Sequence, residues 1–260
     1  MRVAAIYDIH GNLPALEAVL EEARLTGVDQ IVVGGDVLPG PMPRETLARL
    51  LDLDLPVHFL RGNGDREALA PTGEVPEPFR EILDWTKQQL DSEHVRLIET
   101  WPATARLTID GSGETLFCHA TPRSDTEIFT RSTPEERLLP IFGGLDTPLV
   151  VCGHTHMQFD RMVGGIRVVN AGSVGMPFGE PGAYWLLLDR DIQFRWTHYD
   201  FDRAAERIRA TSYPLAEDFA ANNLLRPPGE EEALRTFAVA ELKELFAPTG
   251  PIQEVSLSSG

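Results

Sequence analysis

The chain has 260 residues and 42% hydrophobic content, enough for one large domain or a domain with an appendage, and too apolar for a disordered segment. Its 40 acidic and 23 basic side chains give a formal net charge of -17. That charge speaks against a protein that tracks extended nucleic acid, but it leaves room for a small metal-bearing pocket that takes an anionic substrate.

The first segment, MRVAAIYDIHGN, has a short apolar run broken by Asp8 and His10. It does not read as a signal peptide, and no apolar run approaches the roughly 18 residues of a membrane span. The expectation is a cytoplasmic protein with no membrane partner. Residues 2–7 read as a buried strand. Leu13 to Thr26 reads as a helix, with Leu13, Leu16, Val19, Leu20 and Ala23 on one stripe and Gly27 as its stop. A strand at 30–33, a helix from Pro43 to Leu51 and a strand at 56–60 come next. This βαβαβ rhythm predicts a mostly parallel sheet with covering helices. Residues 78–99 read as one longer helix, with Phe79, Ile82, Leu83, Leu90 and Leu97 among its apolar positions.

The texture changes after residue 102. Short strands recur at 104–109, 115–118, 148–152, 166–169, 183–189 and 192–198, several joined by Gly- or Asp-containing turns. The fold class expected is α/β, with two sheets packed together and helices outside. Cys118 and Cys152 each end an apolar run and read as buried free thiols. From residue 201 the chain turns helical. Leu234, Phe237, Ala238, Leu242 and Leu245 keep helical spacing, as a helical extension docked on the body would. The last residues, from about 247, read as a loose tail.

The strand ends carry the main signal. Asp8-Ile9-His10-Gly11-Asn12, Gly34-Gly35-Asp36, Gly62-Asn63-Gly64-Asp65, Cys118-His119-Ala120 and Gly153-His154-Thr155-His156 each place polar side chains just past a strand's C-terminal end, usually beside glycine. A parallel or mixed sheet brings such ends to one edge. Each piece alone is weak. Asp-x-His is ordinary loop chemistry, and Asn63 within RGNGD reads as a tight turn. His-x-His says more, because an extended segment points both rings the same way. The conjunction is informative: four of the seven histidines fall at these ends. His58, His94 and His198 do not, and read as structural or surface residues. Asp8, His10, Asp36, Asn63, His119, His154 and His156 form an imidazole, carboxylate and amide set without thiolate. Such a set suits Mn, Fe, Ni or Zn. Seven ligands exceed one tetrahedral ion and suit two divalent ions sharing a carboxylate.

In this order, D-x-H-G-N, G-G-D, G-N-G-D, C-H-A and G-H-T-H resemble the calcineurin-like metallophosphoesterases, and within them the YfcE-type phosphodiesterase branch, over roughly residues 1–200. The resemblance implies a four-layer α/β/β/α sandwich of two mixed sheets with two metals at one edge. It implies Asp8, His10 and His156 at the first ion, Asp36 between the two, and Asn63, His119 and His154 at the second. It also implies hydrolysis by a metal-bridging hydroxide, with Asp36, Asn63 and Asp65 as the catalytic set and Mn as the favoured metal. One departure stands out. The family's third block carries histidine after Gly-Asn, and this chain has Gly64. A missing general acid costs on the order of 10²–10⁴ in rate where the leaving group needs a proton. Small phosphodiesters or cyclic nucleotides are therefore expected substrates ahead of monoesters. A non-catalytic metal- or nucleotide-binding scaffold or sensor, or a nuclease, is the alternative. Three further residues have competing roles: Asn12 as a phosphate contact or a helix cap, Arg66 as a phosphate contact or an ion-pair partner, and Arg123 as a substrate contact or a surface residue. Asn170 and Ser173, in NAGS, border the pocket or form a glycine-containing turn, and the turn is the reading preferred. The sequence does not set the oligomeric state.

Overall fold

The structure, a computed structural model, describes residues 1–73 and 75–246; the tail expected from 247 lies outside them. The chain opens with β1 (Val3–Ile6), α1 (Leu13–Thr26), β2 (Gln30–Val33), α2 (Pro43–Leu51) and β3 (Val57–Phe59). β1 pairs in parallel with β2, and β2 with β3. α1 ends at Gly27, whose left-handed backbone (φ 71°) lets its N–H reach the carbonyls of the last turn.

The single helix expected over 78–99 is in fact two. A short α3 (Asn63–Leu69) comes first, then α4 (Phe79–Gln89) and α5 (Ser92–Glu99). Leu90 is extended, and the Asp91 carboxylate accepts from the Glu93 and His94 amides, which starts a new helix. Apolar spacing continues across the break, so periodicity alone concealed it.

The second half supplies β4 (Thr104–Ile109), β5 (Gly113–Cys118), α6 (Glu135–Phe142), β6 (Leu149–Cys152), β7 (Gln158–Val163), β8 (Ile166–Ala171), β9 (Ala183–Leu188) and β10 (Ile192–Thr197). The sequence reading contains neither α6 nor β7. Pro140 inside α6 masks a helical signal. β7 is an edge strand that leaves Asp160 and Met162 exposed, so it lacks a clean apolar alternation. It turns back into β8 at Gly164-Gly165, both with positive φ.

Two mixed five-stranded sheets result, ordered β10-β9-β1-β2-β3 and β4-β5-β6-β8-β7. Strand alternation builds three layers of core. Val3, Ala5 and Tyr7 pack with Phe117, Val151 and Val169 between the sheets. Ala4 and Ile6 face Leu16, Val19 and Leu47 of α1 and α2. Val150 and Cys152 face Leu138 and Phe142 of α6. The layers are therefore α/β/β/α. Cys118 and Cys152 are free and buried, and burial pushes both thiols up.

After the sheets come α7 (Phe201–Arg209), α8 (Ala216–Phe219), a π-helical turn over Ala220–Leu225, and α9 (Glu230–Phe246). Ala205, Ile208 and Phe219 pack with Ile82 of α4. Arg207 donates to Glu17 of α1 at 2.6 Å. Glu241 of α9 accepts from Thr133 and Arg137, each at 2.6 Å. Among the described residues, no helix is long and apolar enough to cross a membrane.

Candidate metal centre

β1, β2 and β3 run parallel in one sheet, and β5, β6 and β8 run parallel in the other. The side chains just beyond their C-terminal ends meet. His10 Nε2 lies 3.2 Å from His156 Nε2, and His156 Nε2 lies 3.4 Å from Asp8 Oδ1. Asp36 spans the cluster, with Oδ2 3.7 Å from His10 Nε2 and Oδ1 3.5 Å from His119 Nε2. Asn63 Oδ1 lies 3.0 Å from His119 Nε2 and 3.0 Å from His154 Nδ1. All seven residues singled out in the sequence are thus brought together. His58, His94 and His198 lie elsewhere: His58 against Gln30, His94 at the start of α5, and His198 against Phe201.

The backbone around these groups is unusual. Among the described residues, the non-glycine positions with positive φ are Asp8, His10, Asp36, His154 and His156, at 47–68°. Each such left-handed residue costs on the order of 1–3 kcal/mol, and all five carry the cluster. Three imidazoles are fixed through their outer nitrogen. Nδ1 of His10 faces the Pro39 carbonyl, Nδ1 of His119 the Gly34 carbonyl, and Nδ1 of His156 the Met176 carbonyl, at 3.3, 3.0 and 2.7 Å. A proton on Nδ1 leaves Nε2 with its lone pair aimed inward. Glycine clears the remaining space: a Cβ on Gly62 would stand 2.1 Å from Asp36 Oδ1, and one on Gly153 would stand 2.5 Å from Asp8 Oδ2.

The electrostatics fit a cation. Asp8 Oδ1 is fully buried and accepts no hydrogen bond, which is costly for a carboxylate oxygen unless a positive charge faces it. Burial opposes the Asp8 charge, yet His156, His119 and His10 hold its carboxyl well below the usual range. Burial and the Asp8 charge push Asp36 up. Burial and neighbouring imidazoles pull His10 and His154 down to about 3, so both are neutral at physiological pH. Burial also pulls on His156, but Asp8 outweighs it and raises that ring. Hydrogen bonding alone would turn the Asn63 amide nitrogen inward, toward His119, His154 and the Asp125 carbonyl; a cation in the same space selects the oxygen. Two groups of ligand atoms, each mutually within 4.8 Å, are Asp8, His10 and His156, and Asp8, Asp36 and His119. The donor set is one a divalent ion of the first transition row would accept.

The other candidate residues have different work. Asp65 is fully buried. Its oxygens accept from the Asp36, Leu38 and Gly62 amides at 2.8, 3.0 and 3.0 Å. It therefore positions the Asp36 loop against the start of α3. RGNGD accordingly forms a helix start, with Asn63 its first residue. Asn12 is buried, caps α1 by accepting from Ala15 N, and donates to the Gly175 carbonyl. Arg66 makes a two-toothed ion pair with Asp125, and Arg123 pairs with Glu127. Two residues weighed as turn residues and one the sequence did not single out support the centre. Ser173 Oγ donates to the Asp8 carbonyl, and Asn170 donates to the Gly153 carbonyl. Phe178 stacks on the His156 ring at 5.6 Å and meets Phe237 of α9 edge-on. The NAGS motif at the C-terminal end of β8 was the available signal for the first two. Nothing local marks Phe178.

A sandwich of this layering, with carboxylates and imidazoles gathered where its strands end, is a metallophosphoesterase arrangement. The Calcineurin-like phosphoesterase superfamily domain matches residues 1–191, and the chain belongs to that superfamily. Within it, the chain is 29% identical over 203 residues to the phosphodiesterase YfcE of Escherichia coli, covering 74% of this chain and 89% of the relative. It is 27% identical over 236 residues to an uncharacterised protein of Methanocaldococcus jannaschii, covering 82% and 93%. The crystal structure of a metallophosphoesterase from Sphaerobacter thermophilus matches with a TM-score of 0.67 at 28% identity, over 85% of this chain and 97% of that one. The likeness to YfcE supports the phosphodiesterase branch.

Proposed function

We propose that the protein is a phosphodiesterase dependent on two divalent ions, with Mn favoured, and that it hydrolyses small phosphodiesters or cyclic nucleotides. The observation that carries this reading is the pair of ligand groups joined at Asp8, with Asp36 facing His10 through one oxygen and His119 through the other. Bound there, divalent ions would acidify a water and offset charge on a phosphoryl group. The protein's own contribution is positional. Three imidazoles anchored through Nδ1 aim their inner nitrogens into the cluster. Asp8 and Asp36 supply the negative charge that holds cations in a buried site. Asn63 presents an amide where a phosphoryl oxygen would lie. The Gly64 amide, which donates to Asp36 Oδ1 at 2.7 Å, fixes the Asp36 carboxylate, and Asp65 holds the Asp36 backbone amide.

No side chain at position 64 can give the leaving oxygen a proton. Nor is there room for one, since a Cβ would meet the Leu38 carbonyl oxygen at 2.4 Å. Esters whose leaving oxygen departs without an enzymic proton are thereby favoured. Turnover of bis-p-nitrophenyl phosphate and p-nitrophenyl phosphate by chelated protein, with Mn added back, tests the reading beside His156→Ala. Metal-dependent diester hydrolysis that exceeds monoester hydrolysis and disappears in the variant is expected. Equal or faster monoester turnover would remove the diester preference, and metal binding without turnover would remove the enzyme.

A further inference from the structure

The space around the centre is lopsided. On the His10 side lies a cavity of about 390 Å³ whose floor includes His10, Asp36, Asn63 and Gly64. Its walls are Val75, Pro76, Phe79, Ile82 and Leu83. A second cavity, of about 420 Å³, shares His10, Pro39, Phe79 and Ile82 with the first and adds the mostly apolar Met176, Tyr213, Leu215 and Phe219, with Asp218 and Asn223 as its polar members. On the His119 side a cavity of about 310 Å³ is polar, with Arg61, Arg123, Thr121 and Asp125 around it. A larger cavity, of about 700 Å³ and edged by Glu77, Glu81 and Asp84, does not touch the centre.

The first cavity is within the usual size range of a small-molecule site and is walled mostly by apolar groups. Beyond the ligand residues its polar side chains are Glu67 and Thr72. Both are already engaged: Thr72 donates to Glu67 at 2.9 Å, and Arg66 donates to each of them. Among the described residues, no unengaged side-chain donor remains there to read the edge of a nucleobase, and the Glu67 charge disfavours a second phosphate. Phe79 is 63% exposed, while Ile82 and Leu83 behind it are buried. A bare aromatic face on a fixed apolar wall, opening onto a hydrolytic centre, is a surface suited to cover by ligand. Tyr213, Leu215 and Phe219 lie past residue 191, where the superfamily match ends.

We infer that the Phe79 cavity receives an uncharged apolar or aromatic arm of the phosphodiester, and that α4 and the helices after residue 200 set this selectivity. The inference rests on the phosphodiesterase reading and narrows it, away from nucleotides. The test uses p-nitrophenyl diesters that share a leaving group and differ in the second arm: phenyl, methyl and 5′-thymidyl. A pocket that grips an aryl ring in place of a methyl group is expected to raise kcat/KM about tenfold or more, by analogy with the 10- to 200-fold effect of one methylene. Phe79→Ala is expected to bring the phenyl-to-methyl ratio toward one, chiefly through KM for the phenyl ester. Metal content and unfolding temperature are measured alongside, and both should match the parent protein because the ring is exposed. A preference for the thymidyl arm over phenyl would overturn the inference, as would equal rates for all arms or a ratio that survives Phe79→Ala. Failure of the wild-type protein to hydrolyse any of the three with metal would overturn the phosphodiesterase reading itself, and this inference with it.

Discussion

The two sheets contribute differently to the centre. The sheet containing β1, β2 and β3 brings Asp8, His10, Asp36 and Asn63, which include every oxygen donor and both carboxylates. The sheet containing β5 and β6 brings three imidazoles, His119, His154 and His156, and no carboxylate. Negative charge enters from one side only, and three of the four imidazoles enter from the other. Each of the two ligand groups draws on both sheets, Asp8 and His10 with His156, and Asp8 and Asp36 with His119, so both form only where the sheets are packed in the correct relation. In that sense the centre joins the two halves of the sandwich, and each half can be tested separately.

The largest effect is expected from the charged half. Asp8→Asn should lose on the order of 10³ or more in kcat/KM, roughly 4 kcal/mol of barrier, together with metal content at both positions. His154→Ala should lose less activity and a single equivalent of Mn. Equal losses of metal by equilibrium dialysis would erase the distinction between the sheets. Asp65→Asn comes next. It keeps the volume but sets an amide against three backbone donors, and a roughly 10- to 100-fold fall in activity or metal affinity is expected, as for other supporting contacts. Near-normal Mn affinity and turnover would show that the Asp36 loop holds itself.

Chelation should act on stability. At a hundredfold excess of ion over Kd, binding contributes about 2.7 kcal/mol, or a drop of roughly 5–10 °C on metal removal at the usual slope for chains near this size. Amide exchange should quicken at the ends of β1 and β2 and also of β5 and β6; a change confined to one sheet would contradict the joining role. Among the seven ligand residues, the pH dependence comes from the two raised above their ordinary values, Asp36 and His156. Both retain protons in metal-free protein at pH values where their ordinary counterparts have released them. Mn binding should therefore release protons, and its affinity should rise with pH. Calorimetry in two buffers of different ionisation enthalpy measures the number released. His10 and His154, at about 3, should add nothing near neutrality. The smallest effect is expected from Phe178→Ala, which removes one ring stacked on His156, an interaction of about 0.5–1.5 kcal/mol. Activity should fall by less than about tenfold, and a larger loss would give α9, through Phe237, a greater hold on the centre than its position suggests.

The ligand cluster was legible because its signal is local. Each polar side chain succeeds an apolar run, usually with glycine beside it, and a parallel sheet does the gathering. The βαβαβ opening and the hairpin-rich second half were legible for the same reason, since alternation and turn residues lie close in sequence. The features that escaped depend on contacts between distant segments or on a broken pattern. β7 carries Asp160 and Met162 outward because it is an edge. α6 has Pro140 within it. The break at Leu90-Asp91 interrupts hydrogen bonding without interrupting apolar spacing, although Asp91 was a readable cap. Asp65 lies close to Asn63 in sequence, and only the fold reveals that its oxygens meet the amides of Asp36 and Leu38, some thirty residues earlier. The wall formed by Phe79 and Phe219 joins positions too far apart for any motif to record.

The left-handed backbone at Asp8, His10, Asp36, His154 and His156 has a consequence for mutational maps. Glycine adopts that conformation without penalty, and asparagine does so more readily than most residues. A library of variants selected only for folding should therefore drift toward glycine and asparagine at these five positions. A library selected for metal-dependent turnover should keep aspartate and histidine. The gap between the two maps, position by position, would measure how much stability the fold gives up to coordinate an ion.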